Sequence, residues 1–287
     1  MLEFEAISLA HKERVESLRI AYGNTLYMYT FTSLFIWQEY EQYEIYLADG
    51  AFIIKNGAEG ENAYLFPCGS EEGKKRIIDS LLKYEKPVFV SMTNDDKDFL
   101  EKAYPQKFSF KECRDEFIYL YDKDEQIELK GKDFKKLRHH INLGRLFAEE
   151  WTTEPITENN IGRVYAINEQ WEAMKGILSV TDTNASRKAF DNLSELSMSG
   201  LIFQADGKDT AYIAGSFITP EIFDLSFCKV LGERCDFFVR WAFYKSLPEE
   251  TKIIDSEEDL GIEGLRINKL SRHPKELIHI WKGNFNL

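Results

Sequence analysis

No run in this chain approaches the roughly 20 apolar residues needed to cross a bilayer, so no membrane-spanning helix is expected. The opening, "MLEFEAISLAHKERVESLRIAYG", carries acids among its first residues and no continuous apolar core. That argues against a secretory leader and makes the cytoplasm the expected compartment. Cysteine is scarce: Cys68, Cys113, Cys228 and Cys235 show neither a C-x-x-C nor a paired spacing. Buried, reduced thiols are expected rather than a disulfide framework or a metal site. Positive charge is in the minority, with 36 Lys and Arg against 49 Asp and Glu and a net charge of −13. Broad, non-specific contact with nucleic acid or an anionic membrane is disfavoured by that balance, while a local basic site is compatible with it.

What is present is ample material for a core. The 287 residues are 44% hydrophobic and 14% aromatic, and at about 150 residues per domain they allow one large or two ordinary domains. In the first half two short helical stretches precede "YEIYLADGAFIIKNGAEGENAYLFPCG", which reads as three strands with Asp49-Gly50 and Asn56-Gly57 as turn dipeptides. "SEEGKKRIIDSLLKYE" follows as a helix, with Ile77, Ile78, Leu81 and Leu82 at helical spacing and Ser70 as its N-cap. A strand, a second helix and two further strands complete that half. The second half runs through a similar order: a strand, two helices, three strands, the helix "DFFVRWAFYKSL", then the strands "TKIID" and "KELIHIWKG".

Two stretches stand out from this background. "KGKDFKKLRHHIN" sets Lys130, Lys132, Lys135, Lys136, Arg138, His139 and His140 within an acidic protein. Near the end, "IIDSEEDLGIEGLRINKLSRHP" puts Asp255, Glu257, Glu258 and Asp259 just ahead of Gly261, Gly264, Arg266 and Lys269. In that order and separation, the two stretches resemble a bacterial family similar to the C-terminal domain of phosphatidylglycerol lysyltransferase. The first matches it at Gly131, Lys132, Arg138, His140, Ile141 and Asn142, the second at Asp259, Leu260, Gly261, Gly264, Leu265, Arg266 and Lys269. "TFTSLFIWQEY" and "INEQWEAMK" extend the likeness over nearly the whole chain. Arg272 and His273 depart from it, standing where relatives more often have an aromatic residue before the proline.

The doubled element order and this resemblance together imply an α+β fold of two tandem Gcn5-related acyltransferase-like domains. Each is expected to be a mostly antiparallel sheet flanked by helices. The expected boundaries are 1–144, ending in a basic helix at 130–144, and 145–287, the latter carrying the active cleft. The resemblance also implies transfer of an aminoacyl group from its tRNA to an amine or a lipid hydroxyl.

Acyl transfer needs an acceptor lone pair, a proton acceptor and donors for the carbonyl oxygen as it gains charge. No nucleophile motif is required. A coenzyme A donor would want a glycine-rich turn ahead of a helix. The two junctions available, "PCGSEEGKKR" and "KVLGERCDFF", are poor cradles, because Glu71 and Glu72 crowd the first and Gly232 is the lone glycine of the second. No cofactor is assigned. The expected donor is aminoacyl-tRNA, with acyl-CoA as the alternative, and the acceptor is a small molecule or a lipid head group.

The expected site residues divide by role. Glu258 and Asp259 would bind an ammonium group or accept a proton. Gly261 and Gly264 would let the backbone approach the ligand, and Arg266 and Lys269 would hold an anionic group. Lys132, Lys135, Lys136, Arg138 and His140 would contact the phosphates of a tRNA acceptor end or a lipid head group. Bland readings stand beside these: an internal salt-bridge network for the acidic loop and a solvated linker for the basic helix. Trp171 and Glu172 lie on a long helix that borders the acceptor in the related fold, where a core role for Trp171 competes. Two other functions remain open on the same residues, acetyl-CoA-dependent N-acetylation and a catalytically inactive small-molecule sensor.

Overall fold

The computed structural model describes residues 2–175 and 180–286. Two compact units emerge: residues 1–118 with 258–261 and 278–287, and residues 119–257 with 262–277.

The first unit is built on an eight-stranded sheet. Its elements are β1 (Glu5–Ala6), α1 (Lys12–Ala21), α2 (Phe31–Glu41), β2 (Tyr43–Ala48), β3 (Ala51–Asn56), β4 (Ala63–Leu65), β5 (Cys68–Gly69), α3 (Glu71–Leu82), β6 (Val88–Met92), α4 (Asn94–Ala103) and β7 (Phe108–Glu112). The strand order is β1-β2-β3-β4-β6-β15-β7, with β5 paired to β3 and β15 being Trp281–Phe285, the last strand of the chain. Ser70 caps α3, its hydroxyl accepting from the Gly73 amide at 3.0 Å. Ile77, Ile78 and Leu81 then face Ala51, Ile53 and Phe89 in the core, as the helical spacing of those apolar residues requires.

The second unit holds a seven-stranded sheet. Its elements are β8 (Ile118–Asp122), α5 (Lys123–Glu128), α6 (Lys135–Arg145), β9 (Trp151–Pro155), α7 (Ile161–Lys175), α8 (Val180–Asp191), β10 (Ser199–Ala205), β11 (Lys208–Thr219), β12 (Ile222–Val230), α9 (Asp236–Tyr244), β13 (Ile253–Asp255), α10 (Glu263–Ser271) and β14 (Glu276–Ile278). The order is β14-β8-β13-β12-β11-β10-β9; β12 and β13 run parallel, while β8–β13, β12–β11, β11–β10 and β10–β9 are antiparallel. A core of Tyr119, Phe203, Ile213, Phe223, Val239 and Phe243 lies under α9. The fold is thus mixed α+β, two sheets each flanked by helices.

The end of the chain differs from the sequence expectation. "KELIHIWKG" reads as one strand, yet it divides into β14, in the second sheet, and β15, in the first. Ile280, fully buried, marks the break, its carbonyl accepting from the Cys113 amide at 2.8 Å. Periodicity cannot register such a change of sheet, because both pieces alternate alike.

Candidate functional site

In the second unit two features open the sheet next to α9. β11 and β12 lose register between Ala214/Phe227 and Ser216/Asp224, so Leu225 and Ser226 lie opposite Gly215 alone. Such a bulge bends the strand and increases its twist. Only glycine fits opposite it, since a Cβ on Gly215 would lie 1.8 Å from the Asp224 carbonyl oxygen. β13 pairs with β12 only from Ile222/Ile253 to Asp224/Asp255. Among the described residues, the rest of β12, Leu225–Val230, continues without a strand on that side. A gap at the carboxyl end of a parallel strand is where ligands enter sheets of this type.

Helices α6, α9 and α10 form a cavity of about 280 Å³ lined by Lys136, Leu137, His140, Phe237, Gly264, Ile267, Asn268 and Ser271. Helix α6 supplies the first three. It buries Leu137, Ile141 and Gly144 and presents its basic residues outward. Gly144 permits this seating, because a Cβ there would come 2.7 Å from the Phe238 Cβ on α9. Lys136 and His140, four residues apart, therefore share a face of α6. The His140 ring stacks on Phe237, with centroids 5.1 Å apart and planes 19° from parallel. From the other wall, Gly264, Ile267, Asn268 and Ser271 follow at the i, i+3, i+4, i+7 spacing of one face of α10. Asn268 is oriented by a 3.4 Å hydrogen bond to the Asp236 carboxylate. No side chain caps α10 at its N-cap, Ile262, so the amides of 263–265 keep the donor capacity of an open helix N-terminus. A Cβ on Gly264 would meet nothing within 4 Å, leaving the approach to those amides clear.

Three of the residues expected from sequence (Lys136, His140 and Gly264) thus share one cavity. The others have different surroundings. Arg138 turns back, Nη1 donating to the Gly131 carbonyl at 2.8 Å and to that of Leu129, and so ties α6 to the end of α5. Lys132 and Lys135 are exposed. Lys269 is buried, its ammonium donating to the Ser256 carbonyl and lying 5.5 Å from the Tyr119 ring centroid. Arg266 is half-buried on α10. Trp171 carries the ammonium of Lys229 4.0 Å over its ring. Lys229 also pairs with Asp182, and burial lowers its pKa to about 8, with Glu172 pulling the other way.

Glu258, Asp259 and Gly261 belong to the first unit. Asp259 is fully buried; one oxygen accepts from Arg114 at 3.0 Å and the other from the Gly261 amide at 3.0 Å. Glu258 accepts from the Tyr27 hydroxyl. Around it stand Glu41, Glu59 and Glu116. Burial first, then the repulsion of Glu59 and Glu258, holds the Glu41 and Glu116 carboxyls above the usual range. The Tyr43 phenol is likewise held well above its usual value by burial and these carboxylates.

Residues 21–226 match the phosphatidylglycerol lysyltransferase C-terminal family. The chain belongs to that family. Its matched span takes in α6 and ends within β12, short of α10. Among solved structures, a conserved protein of unknown function from Bacteroides thetaiotaomicron is 25% identical, with a TM-score of 0.91 and full coverage of both chains. The C-terminal domain of the lysylphosphatidylglycerol synthetase assigned in Agrobacterium fabrum superposes with a TM-score of 0.68 at 13% identity, over 98% of this chain and 93% of that one. L-PGS from Bacillus licheniformis gives 0.66 at 13% identity, over 95% and 91%. The synthetase likenesses are likenesses of fold. No curated protein matches the chain.

Phe237 and Asn268 escaped the sequence reading. Asn268 was within reach of it, because the same helical spacing that groups Gly264 with Ile267 includes it. Phe237 had no such signal; its role comes from the packing of α9 against α6.

Proposed function

We propose that the cavity between α6 and α10 is an acyl-transfer site, and that the group transferred is an aminoacyl ester such as that carried by tRNA. The observation that carries the reading is the convergence of Lys136, His140 and Gly264, from two distant motifs, on one cavity. In this reading the acceptor amine or hydroxyl attacks the ester carbonyl. Its lone pair forms the new bond while the acyl–oxygen bond to the donor breaks. His140 takes the acceptor proton and returns it to the departing hydroxyl. The open amides at the start of α10 hold the carbonyl oxygen as it becomes negative, and Lys136 adds positive charge for an anionic donor or acceptor. Phe237 fixes the imidazole plane. Arg266 remains a candidate contact for the donor. Asp259, engaged with Arg114 and with the Gly261 amide, is assigned together with Gly261 to holding their loop. The names of the synthetase relatives make phosphatidylglycerol the first acceptor to try and lysine the first aminoacyl group.

The test is single-turnover transfer from labelled lysyl-tRNA to vesicles containing phosphatidylglycerol, alongside a panel of other aminoacyl-tRNAs and soluble amines. His140→Gln should lower the rate about 100-fold while leaving the melting temperature within a degree or two. A rate unchanged by His140→Gln sinks the assignment. Turnover with acetyl-CoA and none with any aminoacyl-tRNA replaces it with N-acetylation.

A further inference from the structure

Arg272 is only 3% exposed, and its Nε, Nη1 and Nη2 have no hydrogen-bond acceptor among the described residues. Arg240, on α9, is half-buried as a residue, but its Nε and Nη1 are likewise buried without an acceptor among the described residues. Both border one core cluster: Tyr121, on β8, faces the Arg272 guanidinium and shares that cluster with Val239, Phe243 and Tyr244 of α9, the helix that carries Arg240. Tyr121 offers Arg272 its ring face, 5.0 Å from the guanidinium carbon, which satisfies none of the N–H groups. A third donor is at hand: the Tyr244 hydroxyl, one turn beyond Arg240, is also buried without a partner. Nearby Asp236 turns its carboxylate to Asn268.

Buried charge is ordinarily paired. Lysine or histidine could escape the cost by losing its proton, but arginine stays charged in any protein environment. Two fixed positive charges with open donors therefore call for an anion from outside the chain. A carboxylate brings one charge and two oxygens. A phosphoryl group brings nearly two charges and three acceptor oxygens, which matches two guanidinium forks and a phenol. Neighbours of both arginines line the 280 Å³ cavity: Phe237 precedes Arg240 by one turn of α9, and Ser271 adjoins Arg272.

We propose that Arg240 and Arg272, with Tyr244, form a buried binding site for a phosphoryl group. Its residues are distinct from those assigned to acyl transfer, and the site stands whether or not that reaction occurs.

The experiment measures melting temperature and calorimetric affinity of the whole chain at constant ionic strength, with chloride as the reference anion. Inorganic phosphate, adenosine 5′-monophosphate and acetate are the probes. Phosphate should raise the melting temperature saturably and acetate should not. A stronger response to the nucleotide identifies a phosphate ester as the ligand; an equal one identifies free phosphate. Arg272→Gln and Arg240→Gln should each melt higher than the parent in phosphate-free buffer, because an unpaired buried charge is gone, and each should bind phosphate at least tenfold more weakly. Arg272→Lys, which keeps the charge, should retain part of the affinity and decides the matter if a glutamine variant does not fold. The proposal is overturned if neither phosphate nor the nucleotide gives a saturable shift, if acetate matches phosphate, or if the glutamine variants keep the parent affinity.

Discussion

The two units gather like charges in opposite ways. In the first, Glu41, Glu59, Glu116 and Glu258 collect near Tyr27 and Tyr43. In the second, Arg240 and Arg272 border one core cluster, each with guanidinium nitrogens that lack a partner among the described residues. Each arrangement costs stability, but the relief differs. A crowded carboxyl can keep its proton, and the raised pKa values of Glu41 and Glu116 show that response. A crowded guanidinium has no such outlet and requires a counter-ion. An acidic cluster can therefore be a private affair of the fold, whereas an unpaired arginine pair points outward to a ligand. Arg114 is the control case: its partner Asp259 is in place and buried.

The comparison is broken most forcefully at Arg114. Arg114→Ala leaves Asp259 buried without its guanidinium and should cost about 3 kcal/mol, the low end for a broken buried pair because Arg114 is partly solvated. Urea denaturation measures it. The opposite sign expected for Arg272→Gln makes the contrast sharp, and two destabilising variants would erase the distinction between a paired and an unpaired arginine. Gly144→Ala comes next. Its methyl group would press on Phe238 and should cost roughly 1–3 kcal/mol, shifting α6 and with it Lys136 and His140. The transfer rate should therefore fall further than the stability loss alone accounts for.

The smallest effect lies in the acidic cluster and is read as a pH dependence. Folded-state pKa values of Glu41 and Glu116 lie above the ordinary 4.5, so between the ordinary and the raised values the folded state holds protons that the unfolded chain has released. Stability should fall as pH rises through that window. Glu41→Gln, which keeps the acceptor for the Asn56 amide at 3.1 Å, should flatten the slope and change stability at neutral pH by less than about 1 kcal/mol. A slope that remains unchanged would show that the four carboxylates do not act as a group.

Much of the fold was legible because its signals are local. Ser70 ahead of an apolar period, Asp49-Gly50 between alternating strands and the Leu137/Ile141 spacing each announce an element within a dozen residues. The site was legible in pieces: "KKLRHH" and "GLRINK" both stood out by composition, and the cavity joins one to the other. Individual roles were harder to read. Arg138 and Lys269 look in sequence like ligand contacts, yet both spend their donors on backbone carbonyls. Charge type is written in the sequence; the partner is not. The pairing of Asp259 with Arg114 joins residues far apart in the chain, and no periodicity links them.

By itself, then, the sequence determined which segments become helices and strands, because capping, turn chemistry and apolar period act over a few residues. It also determined the family, through motifs whose spacing survives without any coordinates. Tertiary structure alone decided which charges are satisfied. Hydrogen bonds form over about 3 Å, and only the packed chain determines that Asp259 finds an arginine while, among the described residues, the Nε and Nη1 of Arg272 and of Arg240 find no acceptor.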